Sequence, residues 1–290
     1  MQLAILGNAG SWYTNDLLRA ARGRHEITPI EYQQLASTVG EKTTVHTVGV
    51  SLDKMDAVLV RSMPPGTLEQ IIFRMDALAN LALAGVAVVN PPRAIEVAVD
   101  KYLATTRLAA AGLLVPRTIT CQTVEQAQQA FHELNADVVL KPLFGSEGRG
   151  IVRLSDETIA MRTFKALAAI GSVFYLQEFL EHEGCDLRLL VIGEEILGMK
   201  RRNELDWRTN ISRGAVGEPL VVTSELEELA QRAAAAIGAR VAGVDLLPTR
   251  DGRLYAIEVN AVPGWRSLAE VTRADVAEKV LAYLEKLCRS

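Results

Sequence analysis

Residues 242–264, AGVDLLPTRDGRLYAIEVNAVPG, constrain this chain more than any other stretch. Two short apolar runs flank Asp251-Gly252, the dipeptide best suited to a tight hairpin turn. The runs read as paired antiparallel strands. With Asp251 and Gly252 as the two turn residues, Arg250 faces Arg253, and counting outward along the ladder puts Asp245 opposite Glu258. Opposed side chains on a strand pair have Cβ atoms ~4.5–5.5 Å apart, so two carboxylates there are destabilising unless something positive intervenes. Residues two apart on a strand share a face, so Asn260 joins Glu258 beside Asp245 and completes an all-oxygen set. Two carboxylates and an amide suit Mg²⁺ or Mn²⁺ that also holds phosphate oxygens. Without an ion, the same residues make a solvated acidic patch on an exposed sheet face. The apolar neighbours Val244, Leu246, Ile257 and Val259, and the abrupt stop at Pro263-Gly264, weigh against that patch.

The 290 residues suffice for one large or two to three small domains with a substantial core. With 31 basic and 35 acidic side chains the net charge is −4, and no basic stripe is interleaved with aromatics, so neither a nucleic acid nor an anionic membrane is expected as partner. Cys121, Cys185 and Cys288 are odd in number and lack any C-x-x-C spacing, which argues against disulfides and thiolate metal sites and fits a reducing cytoplasm. Met1 leads straight into a strand-like run, and no apolar run reaches ~18 residues, so the expectation is a soluble cytoplasmic protein without a signal peptide or membrane span.

Along the chain, QLAILG (2–7) is a buried-strand pattern followed by a loop and a helix containing Leu17, Leu18 and Ala21. DAVLVRSMP (56–64) supplies another strand, residues 69–84 an amphipathic helix, and GVAVVNPP (85–92) a strand stopped by two prolines. Strands alternating with helices imply a parallel sheet covered on both sides. Gly7-Asn8-Ala9-Gly10 reads as a structural turn rather than a phosphate cradle, since the full G-x-G-x-x-G pattern is missing. Arg61, at the end of its strand, faces the carboxyl edge of the sheet, the usual ligand side, and is a candidate substrate contact. Residues 94–111 read as one helix carrying Asp100-Lys101, ended by Gly112. VVLKP (138–142) leads into LFGSEGRGI, where Gly145, Ser146, Gly148 and Gly150 can bend backbone N–H groups around a phosphate beside the Lys141 charge; a mobile hairpin tip has the same composition. FYLQEFL (174–180) is a strand whose Gln177 and Glu178 can hydrogen-bond a purine or simply face solvent. LRLLVIG and EEILGMKR (187–201) form a hairpin across Gly193-Glu194. Trp207 to Asn210 is a polar loop with Arg208 and Asn210 spaced like ligand contacts, or a surface loop around one buried tryptophan. Residues 226–237 and 269–287 are structural helices, and the four histidines, at 25, 46, 132 and 182, are expected at the surface.

Taken together, VDKYLATTRLAAAGLLVP (99–116), VVLKPLFGSEGRGI (138–151), YLQEFLEHEGCDLRLLVIG (175–193), WRTNISRGA (207–215) and AGVDLLP…AIEVNAVPG (242–264) resemble the ATP-grasp superfamily, and within it the RimK-type α-L-glutamate ligases, over nearly the whole chain. The resemblance implies an α/β fold of the ATP-grasp α+β kind. It has an amino-terminal parallel α/β domain (1–93), a small central lid domain with the glycine-rich loop (94–175), and a carboxyl-terminal domain with a mixed or antiparallel sheet and the metal site (176–290). ATP lies between the last two. Lys101 and Lys141 are then expected on ATP phosphates under the closing loop of Gly145, Ser146, Gly148 and Gly150, with Gln177, Glu178 and Phe179 lining the adenine pocket and Asp186 near the ribose. Asp245, Glu258 and Asn260 take two Mg²⁺ (or Mn²⁺) ions, and Arg208 and Asn210 lie beside the transferred phosphoryl group, with Arg208, Asn210 and Lys141 as the catalytic set.

The implied reaction is ATP-dependent carboxylate–amine ligation through an acyl phosphate, adding L-glutamate to a small cofactor or to a peptide or protein carboxylate. VRSMPPGTLEQIIFRMDAL (60–78) is more similar to members that handle pterin or furan one-carbon carriers, such as tetrahydromethanopterin or methylofuran glutamate ligases, than to the ribosomal-protein modifier. Arg61, Arg74, Arg201, Arg202, Arg213 and Arg266 are candidates for holding carboxylates of glutamate or acceptor. By analogy with the family, a homodimer or homotetramer is expected. Other readings are the same scaffold with another amino-acid donor, as in the carrier-protein ligases of lysine synthesis or in peptide ligases, and a non-catalytic ATP-binding regulator.

Overall fold

The computed structural model describes residues 1–145 and 148–289. Ser146, assigned above to the phosphate loop, lies outside the described residues. The chain begins with β1 (Gln2–Leu6), α1 (Trp12–Ala21), β2 (Glu26–Ile30), β3 (Ala36–Thr38), β4 (Thr44–Thr47), β5 (Val50–Ser51), β6 (Ala57–Val60), α2 (Leu68–Leu83) and β7 (Ala87–Val89). Strands β2-β1-β6-β7 make a parallel sheet in that order. Its central strand β1 buries every residue from Leu3 to Leu6, as a parallel strand covered on both faces must. Alternation sends Leu3 and Ile5 toward Leu17 and Ala20 of α1, and Ala4 and Leu6 toward Leu78 and Leu81 of α2. The small antiparallel sheet β3-β4-β5 was not anticipated; its strands run only two to four residues, too short for a period to register.

Next come α3 (Pro92–Val99), α4 (Lys101–Ala110), β8 (Thr118–Cys121), α5 (Val124–Glu133), β9 (Val138–Lys141), β10 (Val152–Leu154), α6 (Glu157–Ala168) and β11 (Phe174–Glu178). The single helix expected over 94–111 is two. Asp100 is extended, and its carboxylate accepts the Leu103 N–H at 3.1 Å, so it caps a new helix instead of continuing the old one. That break sets Lys101 at the first helical position. The antiparallel sheet β10-β9-β11-β8 closes with α5 and α6 around Phe131, Phe164, Phe174 and Leu140, an apolar cluster drawn only from residues 119–176.

The remainder is β12 (Cys185–Ile192), β13 (Glu195–Arg202), β14 (Val216–Pro219), α7 (Ser224–Ile237), β15 (Val241–Pro248), β16 (Leu254–Asn260), α8 (Arg266–Thr272) and α9 (Val276–Arg289). These five strands form an antiparallel sheet in the order β14-β13-β12-β15-β16, and β12 and β13 turn across Gly193-Glu194 as expected. Helices α1, α2, α5, α6 and α7 start on Ser11, Thr67, Thr123, Asp156 and Thr223, each side chain accepting a first-turn N–H.

The parallel and five-stranded sheets share their core. One cluster joins α2, α3, α4 and α7 to β12, β15 and β16; another joins β1 and α1 to α9, Leu190, Val241 and Trp265. Asn90, 2 % exposed, fastens them by hydrogen bonds. Its Oδ1 accepts the N–H groups of Arg240 and Val241 at 2.7 and 3.0 Å, and its Nδ2 donates to the carbonyls of Val241, at 2.7 Å, and Ala261. Among the described residues no helix is long and apolar enough to cross a membrane.

Candidate functional site

The hairpin brings Asp245 opposite Glu258, with Gly243 opposite Asn260, but by a different path from a two-residue turn. The loop holds three residues, Arg250, Asp251 and Gly252, closed by the Thr249 N–H on the Arg253 carbonyl at 3.0 Å, with Gly252 in the left-handed region at φ 82°. Asp251 stabilises this longer loop by accepting the Thr249 hydroxyl at 2.5 Å and the Arg253 N–H at 3.3 Å. The ladder then skips Ile257, a β-bulge between the Leu246–Ala256 and Asp245–Glu258 pairs. One extra loop residue and one bulged residue cancel, so the count to Glu258 holds.

Asp245 is 2 % exposed, and the positive charge it requires comes from the protein itself. Arg188, its register partner on β12, donates Nη1 to Oδ1 at 2.6 Å, and Arg201 Nη2 lies 2.8 Å from Oδ2. Arg201 also grips Asp186 with both arms at 2.7 and 2.5 Å, and the Thr209 hydroxyl donates to Asp186 at 2.5 Å. Asp186 and Arg188 are two apart on β12, so cross-strand pairing lines Arg201, Asp186, Arg188, Asp245 and Glu258 along one face. Arg188 reaches across because Gly243 has no side chain: a Cβ there would sit 2.8 Å from the guanidinium carbon. Burial alone pushes the Asp245 carboxyl up, but Arg188 and Arg201 outweigh it and hold it below the usual range.

Glu258 is half-buried, lines the cleft, and takes no hydrogen bond or ion pair from any described residue. Asn260 Oδ1 accepts the Val262 N–H at 2.8 Å. Among the described residues no three His, Cys, Asp or Glu side chains converge. Glu258 with both oxygens open, Asp245 with one lone pair per oxygen beyond its arginines, and the Asn260 amide nevertheless fit a hard cation, which takes oxygen donors and completes its shell with substrate oxygens.

Across the cleft, Lys141 ends β9 and donates to Gln177 Oε1 at 2.5 Å, and Lys101 donates to the Gly145 carbonyl at 2.7 Å. Burial lowers the Lys141 ammonium to about 8 and lowers Lys101 as well, while Glu258 pulls both upward. Gln177 is 2 % exposed, its Nε2 tied to Tyr175 Oη and Thr118 Oγ1 at 3.0 and 3.1 Å, so its side chain aims Lys141. Glu178 accepts the Arg117 N–H at 2.7 Å. The Phe179 ring lies 3.4 Å from the Arg153 guanidinium and edge-on to Trp207 at 5.7 Å. Gln177, Glu178, Phe179, Asp186, Arg208, Asn210, Asp245 and Glu258 all border one cleft of about 700 Å³, open solvent included.

Gly148 lies against the polar loop 203–215. A Cβ on Gly148 would lie 2.6 Å from Asn210 Oδ1, one on Gly150 2.8 Å from Pro142 Cγ, and both glycines have left-handed φ. Arg213 donates to the Gly148 carbonyl at 3.3 Å. Arg208 is held by Asp206 at 2.6 Å and extends toward the Ile151 carbonyl at 3.5 Å.

The six candidate carboxylate-holding arginines part company. Arg201, Arg202 and Arg266 already pair with acids of the chain, and Arg213 serves the glycine loop. Arg61 and Arg74 are buried with no carboxylate within ion-pair distance among the described residues. Sequence reading passed over Arg188, whose signal was a lone charge inside an apolar strand run, and over Asn90 and Thr209. His25 is not a surface residue: its side chain is 3 % exposed, with Nε2 3.0 Å from Glu285 of α9. His182 lies in the cleft wall.

Residues 98–284 match the model of the RimK-like ATP-grasp domain. The chain is 32% identical over 283 residues to tetrahydromethanopterin:alpha-L-glutamate ligase of Methanosarcina acetivorans, covering 87% of each chain. It is 31% identical over 293 residues to a probable alpha-L-glutamate ligase of Trichodesmium erythraeum, covering 99% of this chain and 96% of that one. Among solved structures, the ATP-grasp ligase PsnB complexed with minimal precursor, Mg and ADP superposes with a TM-score of 0.78 at 22% identity, over 99% of this chain and 97% of that one.

Proposed function

This chain belongs to the RimK-like ATP-grasp family of amide-bond-forming ligases, and on that footing we propose that it spends ATP to join L-glutamate to a carboxylate of a small cofactor or a peptide. The observation that carries the reading is that Asp245 and Glu258, the latter without a partner among the described residues, line one cleft with the half-buried Lys141, while Lys101 lines the adjoining pocket with Lys141 and Glu258, and Asn260 shares the strand face of Glu258. Oxygen ligands for a cation facing ammonium groups suit a polyphosphate, whose charge neither alone can neutralise.

In this reading ATP lies with its base against Glu178 and Phe179 and its phosphates toward Lys101 and Lys141. Asp245, Glu258 and Asn260 would hold two Mg²⁺ ions, which when bound would neutralise charge on the phosphoryl oxygens. A carboxylate is a poor electrophile, so the acceptor carboxylate oxygen first attacks the γ-phosphorus and ADP leaves. The neutral glutamate amine then attacks the acyl carbon, inorganic phosphate leaves with the carbon–oxygen bond pair, and the extra proton on nitrogen passes to the departing phosphate. Lys141, aimed by Gln177, holds a phosphate oxygen by charge. Arg208 and Asn210 approach the same oxygens beneath Gly148, where closure excludes water that would hydrolyse the acyl phosphate. Residues 119–176, with a core of their own, are the natural moving body. Arg188 and Arg201 keep Asp245 ionised and correctly turned, a supporting role for the ligand set.

The test is ADP release with ATP, Mg²⁺ and single amino acids, using extract small molecules as acceptors and mass spectrometry of the product. Glutamate-dependent release and a product heavier by one glutamyl unit are expected, with turnover falling at least about 100-fold in Glu258→Ala. ADP release driven by another amino acid rejects glutamate as donor; wild-type rates for Glu258→Ala at saturating Mg²⁺ reject the metal site.

A further inference from the structure

Arg61 follows β6 directly, at the carboxyl edge of the parallel sheet, and is 6 % exposed. Its Nη2 donates to the Pro263 carbonyl at 2.7 Å, and its guanidinium carbon lies 4.0 Å from the Trp265 ring centre and 5.0 Å from that of Tyr13. Its Nε is buried with no hydrogen-bond partner, and no carboxylate of the described residues pairs with it. Asp16, the acid bonded to Trp265 Nε1, is taken up by Arg19. Burial lowers the Arg61 guanidinium to about 10, so it remains charged at neutral pH.

A buried guanidinium without a counter-ion is costly, and a fold keeps one where an anion arrives from outside. Tyr13, whose ring lies against the same guanidinium, is half-buried, and its Oη, 2.6 Å from where a Cβ on Gly264 would stand, has no hydrogen-bond partner among the described residues. The corner adjoins the site. Pro263 is three residues beyond Asn260, a span of at most about 10 Å of chain. An anion on Arg61 therefore lies within one small molecule's length of the proposed phosphoryl-transfer face. Arg74, buried beneath the same 61–67 loop, donates to Pro64 and has no acid partner either, so it adds to the positive potential here.

We propose that Arg61, with Tyr13, holds a non-reacting carboxylate of one of the two acidic substrates, the glutamate or the acceptor; this rests on the ligase reading above. Arg61 is a substrate-positioning residue in this scheme, setting where the reacting group stands on the far side of Asn260.

Arg61→Gln and Arg61→Lys are compared with the wild type in the full chain. ADP-release rates are measured against L-glutamate, against a dilution series of the extract acceptor, and against ATP. Expected is a rise of about tenfold or more in half-saturation for one acidic substrate in Arg61→Gln, partial recovery in Arg61→Lys, and ATP half-saturation within about twofold. Whichever half-saturation moves identifies the carboxylate's source. If kcat falls with every half-saturation unchanged, the residue is structural and the proposal is overturned. Should Arg61→Gln not fold, Arg61→Lys decides: a shift of about threefold or more for one acidic substrate alone supports the carboxylate site, and none rejects it. Should the wild type show no glutamate-dependent turnover, the ligase reading fails by itself. Calorimetric titration with glutarate then decides Arg61: binding at least about tenfold weaker in Arg61→Gln supports the site, and equal binding or none to either protein overturns it.

Discussion

At the residue scale the cleft is a set of charges whose protonation is poised by burial. Lys141 is the sharpest case, because desolvation lowers its ammonium from 10.5 to about 8 despite the pull of Glu258. Only the protonated form attracts phosphate. In the ligand-free protein that form dominates at pH 7 and is the minor one at pH 9, so ATP affinity falls with rising pH, by about tenfold between those values. Lys141→Arg, charged throughout, flattens the profile. Calorimetric ATP titration at several pH values checks this, and a wild-type profile as flat as the variant's would separate Lys141 from the phosphates. Asp245 behaves oppositely, held ionised by Arg188 and Arg201. These two arginines were the least legible part of the site. The positive charge demanded by opposed acids was argued from Asp245 and Glu258, but that argument could not tell a metal from an arginine three strands away in sequence order, since only the register of β12 and β13 brings Arg188 and Arg201 over Asp245.

At the element scale, the hairpin of β15 and β16 was legible because two short apolar runs flank a D-G turn signal, and the face shared by Asp245, Glu258 and Asn260 followed from the period of two along a strand. The path was not legible: the three-residue loop closes through Asp251 on Thr249 and Arg253, a local hydrogen-bond choice that composition does not encode. Likewise α3 and α4 read as one apolar-periodic helix until the Asp100 cap divides them. Gly252 has left-handed φ and nothing within 4 Å of a Cβ. Gly252→Ala therefore incurs only the backbone cost, about 1 kcal/mol in a urea melt, with kcat unchanged. A fall in kcat alongside would mean that the exposed loop, rather than the sheet, sets the Asp245–Glu258 register.

At the scale of the whole molecule, the site exists because two sheets distant in sequence are locked together while residues 119–176 keep a separate core. The lock combines apolar packing around Trp265, Leu190 and Val241 with one polar side chain, Asn90, that satisfies two N–H groups and two carbonyls at the ends of β15 and β16. One of those carbonyls belongs to Ala261, next to Asn260, so the same side chain that joins the sheets also fixes the end of the proposed metal-holding strand. Asn90→Ala leaves three buried backbone groups and one part-buried one without the partner they have, at a position only 2 % exposed. The expected loss is about 3 kcal/mol, read as a lower urea midpoint at unchanged slope. Because the strand end loosens, Mg²⁺ dependence of ADP release shifts to higher concentration at temperatures where the variant stays folded. A midpoint equal to wild type would assign the junction to the apolar cluster alone; a lower midpoint with unchanged Mg²⁺ dependence would separate the joining of the sheets from the positioning of Asn260.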